Sequence, residues 1–315
     1  MDVLSTEDVL KALRLKTSYA QNKYLAMYST WFGGVITDPA LMTVPVDDHM
    51  VHRGDGVFEA FRSRNGRLLE MDAHLDRLER SAGSLGIHLP HPRDEIQSLC
   101  DKMIGLCQGK DVLFRLYVSR GPGGFTTNPY ECVGSQLYIV MTQFIPYPAE
   151  KYQKGVSAIT SHVLAKPAPF SQIKSCNYLP NVMMKKEAVD RGVDFTVCFT
   201  DEGFLGEGST ENILIVTDMG EVLAPVFDYT LQGTTLLRVL EVARGQMGSH
   251  SGISRVDLEK LRHEDLDRAT EVMMAGTTIG LLPVTRWEGK SVGSGKPGPV
   301  FQLLHRELKK IYGDL

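Results

Sequence analysis

Gly203-Phe-Leu-Gly-Glu-Gly-Ser-Thr-Glu-Asn212 sets one carboxylate, Glu207, between glycines, just ahead of an apolar run at 213–216 that reads as a strand. A carboxylate so flanked can approach the edge of a flat ring closely. Paired with a pyridine nitrogen, it keeps that nitrogen protonated and makes the ring an electron sink. Satisfied by backbone N–H groups instead, it is an ordinary turn residue. Upstream, Lys174 follows the proline-rich loop Lys166-Pro-Ala-Pro-Phe170 and precedes Asn177-Tyr178 and a predicted helix. A lysine desolvated at such a junction loses basicity and can act as a Schiff-base nucleophile, although most lysines are simply solvated. Downstream, Gly233-Thr234-Thr235 opens a predicted helix, whose first N–H groups and dipole suit an anion. Gly276-Thr277-Thr278 follows a buried strand and offers hydroxyls beside flexible backbone. Each feature alone is common. The four in order along one region are hard to assign to ordinary turns.

Outward from this core, the pattern mixes strands and helices without a regular βαβ rhythm, which predicts an α+β fold. A short helix opens at Thr6-Glu7-Asp8 with Val9, Leu10 and Leu13 on one face. Short strands broken by Gly33-Gly34 and prolines fill 27–51. A hairpin over 55–71 turns at Asn65-Gly66. Asp72 is the expected cap of a helix with Leu75 and Leu78 inward. A second helix spans about 92–109, and strands follow at 112–119 and 136–144. The segment 145–151, with Pro146 and Pro148, is the expected boundary between a domain of 1–145 and one of 152–315. Beyond it come strands at 156–163, 195–200, 213–216 and 271–275, helices at 178–191 and 234–243, and a last helix from Pro299.

The chain has 315 residues, 43% apolar and 23% charged, which suits two ordinary domains. A net charge of −4 gives no basic excess for a nucleic-acid backbone. No run nears the roughly 18 apolar residues of a membrane helix, and residues 1–16 read as an acidic amphipathic segment rather than a secretion signal. Cys100, Cys107, Cys132, Cys176 and Cys198 are odd in number and never in a CxxC pair. They point to free thiols in a reducing cytoplasm rather than to a disulfide framework or a zinc knuckle.

Several motifs fail. Gly289-Lys290-Ser291 lacks the earlier glycine of a phosphate loop, since Val284 stands there. The pairs His49/His52 and His88/His91 have no third ligand nearby, so no metal is expected. Ser171-Gln-Ile-Lys174 matches SxxK, but no Lys-Thr-Gly follows, which leaves a serine acyl-enzyme a weak rival.

Gly54-Asp-Gly-Val-Phe-Glu59, His74-Leu-Asp-Arg-Leu78, Ile173-Lys-Ser-Cys-Asn177, Glu207-Gly-Ser-Thr-Glu-Asn212, Leu231-Gln-Gly-Thr-Thr235 and Gly276-Thr277 occur in that order. Together they resemble the class IV, fold-type IV pyridoxal-phosphate enzymes: branched-chain aminotransferases, D-amino-acid aminotransferases and aminodeoxychorismate lyases. The resemblance runs from about residue 31 to the C-terminus. It implies a small α/β N-terminal domain with substrate-recognition elements and a larger cofactor-binding domain with a β-barrel-like core. It further implies pyridoxal 5′-phosphate as cofactor, held by Lys174 as an imine, with Glu207 on the pyridine nitrogen. Arg77, Thr234, Thr235 and Thr277 would hold the phosphate, Leu231 would pack on the ring, and Tyr178 would approach the ring hydroxyl. Lys174 would carry the proton between the substrate α-carbon and the cofactor. A homodimer and ping-pong transamination between an amino acid and a 2-oxo acid complete the picture.

The substrate is less determined. D-amino-acid enzymes have tyrosine where this chain has Phe58, and their loop arginine and histidine align with Phe125 and Thr127. Lyases share Ser119-Arg-Gly-x-Gly-Gly124 but carry arginine at the Phe125 position. Branched-chain enzymes match at Arg115, at Arg62 and at Asn128-Pro129, while their two tyrosines align with Arg53 and Leu113. A carboxylate wants a bidentate guanidinium, so Arg53, Arg115 and Arg120 are the candidates, each equally readable as a surface ion pair. Phe58, Leu113 and Phe125 favour a hydrophobic or branched-chain amino acid. The alternatives are a lyase, a D-amino-acid transaminase, or a non-catalytic protein that keeps the fold.

Overall fold

The Asn65-Gly66 turn closes as its residues dictate. Both have positive φ, 49° and 77°, and they join β3 (Gly56–Arg64) to β4 (Arg67–Leu68). The computed structural model describes residues 1–16, 22–107, 109–248 and 251–313. They form two units. One is Met1–Ile145 with Lys174–Asn177; the other is Pro146–Ile173 with Tyr178–Leu315. The chain therefore divides at Ile145-Pro146, and four residues around the lysine of the second half pack with the first unit.

In the first unit, β1 (Tyr24–Ser29), β2 (Gly34–Ile36), β5 (Val112–Ser119) and β6 (Gln136–Gln143) join the hairpin in an antiparallel sheet of order β2-β1-β6-β5-β3-β4. The helices are α1 (Thr6–Leu15), α2 (His49–Arg53), α3 (Met71–Ser84) and α4 (Arg93–Ile104). Two expectations need correction, and the expected first helix forms. Asp48 caps α2 where short strands were expected, by accepting from Met50 N–H. The residue before α3 is Glu70 in the left-handed region, so Asp72 lies inside the first turn and is not the cap. α1 forms with a Ser5–Asp8 capping box, yet Val9, Leu10 and Leu13 stay exposed. Leu75 and Leu78 of α3 and Ile96 and Met103 of α4 are buried with Phe61, Phe114, Leu116 and Ile139 of the sheet.

In the second unit, α5 (Ala149–Lys154) starts directly after Pro148, so the expected irregular linker is half helical. The strands are β7 (Val156–Thr160), β8 (Phe195–Phe199), β9 (Leu205–Gly208), β10 (Asn212–Val216), β11 (Glu221–Pro225), β12 (Arg255–Glu259), β13 (Glu271–Gly276), β14 (Gly280–Trp287) and β15 (Lys290–Ser291). They order as β12-β11-β10-β13-β14-β7-β8-β9, with β15 on β14. The sheet curls until Leu205 N–H donates to Leu261 C=O just past β12, at 2.8 Å. The enclosed core includes Val197, Leu205, Ile213, Ile215, Met274, Leu282, Val284 and Trp287. Helices α6 (Leu179–Asp190), α7 (Thr234–Gln246), α8 (His263–Arg268) and α9 (Pro299–Tyr312) complete the unit. Among the described residues no helix is long and apolar enough to cross a membrane.

The start of α9 is tied to the sheet by one buried carboxylate. Glu271 accepts from Val300 N–H (2.9 Å) and Phe301 N–H (2.7 Å), two of the helix-start donors that lack intrahelical partners. Burial raises its carboxyl above the usual range, against the pull of those two N–H groups. Glu271→Ala should lower stability by about 1–3 kcal/mol, read as a lower urea midpoint at unchanged slope; an unchanged midpoint would mean that the cap carries no weight.

Candidate active site

Lys174 is placed by strand addition. Phe58 N–H donates to Lys174 C=O (2.9 Å) and Cys176 N–H to Gly56 C=O (2.8 Å), so residues 174–176 pair antiparallel along the outer edge of β3, with Ser175 opposite Val57. From α3, Ser81 Oγ accepts the lysine N–H at 3.3 Å. The half-buried side chain turns back over β3, with Nζ 4.7 Å from the centre of the Phe58 ring.

Alternation along β3 puts the next residue, Glu59, on the opposite face, toward α3. It is fully buried. Its carboxylate accepts from Arg77 Nε (2.7 Å), Arg77 Nη2 (2.9 Å) and His74 Nδ1 (2.7 Å). Burial alone would raise this carboxyl; the charge of Arg77 and the hydrogen bonds from Arg77 and His74 outweigh it and hold the group far below the usual range. Burial depresses the His74 imidazole, with Glu59 pulling the other way. His74 is thus a neutral ring whose Nδ1 carries the proton given to Glu59. Arg77 is therefore oriented by Glu59 in a bidentate clamp. Neither Glu59 nor His74 has an assigned role from sequence; the signal is their place in the two motifs, Gly54–Glu59 and His74–Leu78.

The other face of this sheet carries the substrate candidates. Register pairs Phe58 with Tyr117, Ala60 with Arg115 and Arg62 with Leu113, so Phe58, Leu113, Arg115 and Tyr117 share one face. Phe58 stacks on Tyr117 at 6.0 Å. Arg115 is half-buried and donates to Thr142 Oγ1 at 3.3 Å. Arg53 is exposed at the end of α2 and donates to the carbonyls of His52 and Phe125. Arg120 is otherwise engaged: Asp55 takes its Nε (2.8 Å) and Nη2 (3.1 Å), and the carbonyls of Leu85 and Gly86 take the rest. Phe125 is 62% exposed and faces His52, ring centres 5.1 Å apart, so it does not join the Phe58 face.

In the second unit Asn212, the first residue of β10, organises the other candidates. It pairs with Ala275 of β13. Its Nδ2 donates to Leu231 C=O (2.8 Å) and lies 3.4 Å from Glu207 Oε2, which also accepts Leu231 N–H (3.0 Å). A Cβ on Gly233 would lie 1.8 Å from Asn212 Oδ1, so only glycine lets α7 begin here. Thr234 and Thr235 open that helix, both buried. Thr277 follows β13 in the turn 276–280. Asn212, unassigned from sequence, thus brings Glu207, Leu231, the head of α7 and the end of β13 to one place. Glu207 N–H lies over Cys198 Sγ at 3.5 Å, and burial pushes that thiol up to about 12, so it stays protonated. Tyr178 precedes α6 with Lys166 Nζ 5.6 Å from its ring centre.

These donors fit a phosphate. Thr235 and Thr277 make no hydrogen bond to another described residue through N–H or hydroxyl, and the helix dipole of α7 adds positive potential. Among the described residues no group of three or more His, Cys, Asp or Glu is arranged to hold a metal.

Residues 56–287 match the sequence profile of the amino-transferase class IV family. The chain is 38% identical over 305 residues to a chloroplastic D-amino-acid transaminase of Arabidopsis thaliana, covering 96% of this chain and 80% of that one. It is 31% identical over 283 residues to a putative branched-chain-amino-acid aminotransferase of Methanocaldococcus jannaschii, covering 89% and 95%. The crystal structure of the branched-chain amino acid aminotransferase of Escherichia coli superposes with a TM-score of 0.84 at 25% identity, covering 92% of this chain and 95% of that one. The chain therefore belongs to the class IV aminotransferases, pyridoxal-phosphate enzymes of fold type IV.

Proposed function

We propose that this aminotransferase exchanges an amino group between an amino acid with a hydrophobic or branched side chain and a 2-oxo acid, in two half-reactions of a ping-pong cycle. The observation that carries the substrate reading is the sheet face on which Phe58, Leu113 and Tyr117 accompany the half-buried guanidinium of Arg115, with the buried Arg62 farther along the same face. That face offers apolar surface to a side chain and a fork to a carboxylate. Arg53 is the second candidate for the carboxylate, whereas the bonds of Arg120 to Asp55 support a bracing role. The 38% identity to a D-amino-acid transaminase favours a second reading, in which the donor is a D-amino acid.

Pyridoxal phosphate supplies a conjugated ring that takes up the electron pair released at the substrate α-carbon. Lys174 Nζ would hold the cofactor's aldehyde carbon and, as the free amine, would carry the α-carbon proton. Glu207 Oε2, beside Leu231 N–H, would face the ring nitrogen. Arg77, aimed by Glu59, and Thr234, Thr235 and Thr277 would each be donors to the phosphate. Leu231 would pack on the ring and Tyr178 would meet its hydroxyl. A homodimer and a reducing, cytoplasmic location complete the proposal; all five cysteines are unpaired thiols.

The test of specificity is a panel of L- and D-amino donors with 2-oxoglutarate. L-Leu, L-Ile and L-Val should lead; D-donors leading would establish the second reading, and pyruvate release from aminodeoxychorismate without an acceptor would establish a lyase instead. Lys174→Ala should lose turnover and the visible absorbance of the bound cofactor together, and a variant that kept both would remove the assignment. Arg115→Met should raise the KM of the amino donor by about ten- to a hundredfold, the worth of one charged hydrogen-bonded contact, at unchanged cofactor absorbance. An unchanged KM would shift the carboxylate to Arg53.

A further inference from the structure

The turn that carries Thr277 has no stiffness of its own. It spans residues 276–280 between β13 and β14, with Gly276 paired to Gly280 at its base and Gly280 at φ 61°. Glycine at both ends leaves the loop free to pivot unless something outside it fixes a peptide plane. The internal bond, Ile279 N–H to Gly276 C=O at 3.2 Å, closes the turn without orienting it.

The external hold is Tyr152 of α5. Its hydroxyl donates to Ile279 C=O at 2.8 Å. The ring is itself fixed on several sides. His305 of α9 stacks on it with centres 5.1 Å apart and planes at 30°. Phe301 stacks on that imidazole at 5.2 Å, and Tyr147 meets the tyrosine edge-on at 6.5 Å. Phe301 is anchored by its N–H to Glu271, and the end of α5 by Thr285 Oγ1 to Lys154 C=O at 3.1 Å. The Ile279 side chain is buried in the core beneath. The turn is thus pinned at residue 279 by side chain and carbonyl, two residues from Thr277, whose N–H and hydroxyl bond no other described residue.

We infer that Tyr152 is a positioning residue for cofactor-phosphate binding: its hydroxyl fixes the 279–280 peptide and so presents the Thr277 end of the turn to the phosphate. The inference rests on the proposal that this turn holds the phosphate. Tyr152 lies outside every motif of the family resemblance.

The test compares pyridoxal 5′-phosphate with pyridoxal, which lacks the phosphate, as ligands of the apoprotein, followed by fluorescence quenching. Tyr152→Phe keeps the stacked ring and removes only the hydroxyl. It should reduce the preference for the phosphorylated ligand by about three- to tenfold, the equivalent of one net hydrogen bond, with pyridoxal affinity unchanged. Tyr147→Phe, in the same aromatic cluster, should leave the preference as it is. An equal loss for both ligands, or the same loss in Tyr147→Phe, would make Tyr152 merely structural and overturn the inference. Thr277→Val separates the two levels. If it lowers the preference while Tyr152→Phe does not, the inference alone fails; if Thr277→Val also leaves it unchanged, the turn does not hold the phosphate and both fail.

Discussion

Two backbone hydrogen bonds decide where the amine of Lys174, the proposed nucleophile, stands. By donating Phe58 N–H to Lys174 C=O and Cys176 N–H to Gly56 C=O, the lysine segment becomes an extra strand on the edge of β3. A side chain as flexible as lysine gains a defined position only when its backbone is fixed, because the residual freedom then lies in its own torsions alone. The same short stretch of β3 serves both faces. Phe58 gives its N–H to the lysine carbonyl and its ring to the lysine ammonium, while Glu59 points the other way and orients Arg77. A shift of one residue in this register would exchange the two faces and remove both functions together.

The second unit solves a parallel problem with a side-chain amide. Asn212 sits where β10 pairs with β13 and touches the chain at Leu231 and Gly233. Glu207 is thereby held next to the Leu231 N–H and the Asn212 side-chain amide. The phosphate donors proposed in this unit are likewise backbone and hydroxyl groups at a helix start and a glycine-flanked turn, backed by Asn212 for one and, on the inference above, by Tyr152 for the other.

Much of this was legible in the sequence. The hairpin at Asn65-Gly66, the strand Val112–Ser119 and the start of α9 at Pro299 carry local signals, and local signals suffice there. The motifs bearing Lys174, Glu207, Thr234, Thr235 and Thr277, each common alone, stood out because they occur in order along one region. What was hidden depends on distant partners. Pro283 sits within β14, an inner strand, because the pairing with β7 begins only at Val284. The α3 start passed to Glu70 because a left-handed residue, not a capping side chain, ends the preceding hairpin. Glu59, His74, Ser81 and Asn212 look like ordinary polar residues until the fold brings their partners from up to 93 positions away. Arg120 looked as suitable for a carboxylate as Arg115, and only the contact with Asp55 separates them.

The most direct test of the central claim is chemical. Reduction of the pyridoxal-phosphate-loaded enzyme with borohydride makes the lysine–cofactor bond permanent, and peptide mass spectrometry then locates it. The predicted result is a single phosphopyridoxyl group on the peptide containing Lys174. A label on Lys166, on any other lysine, or on none would contradict the placement of the reactive amine at the edge of β3.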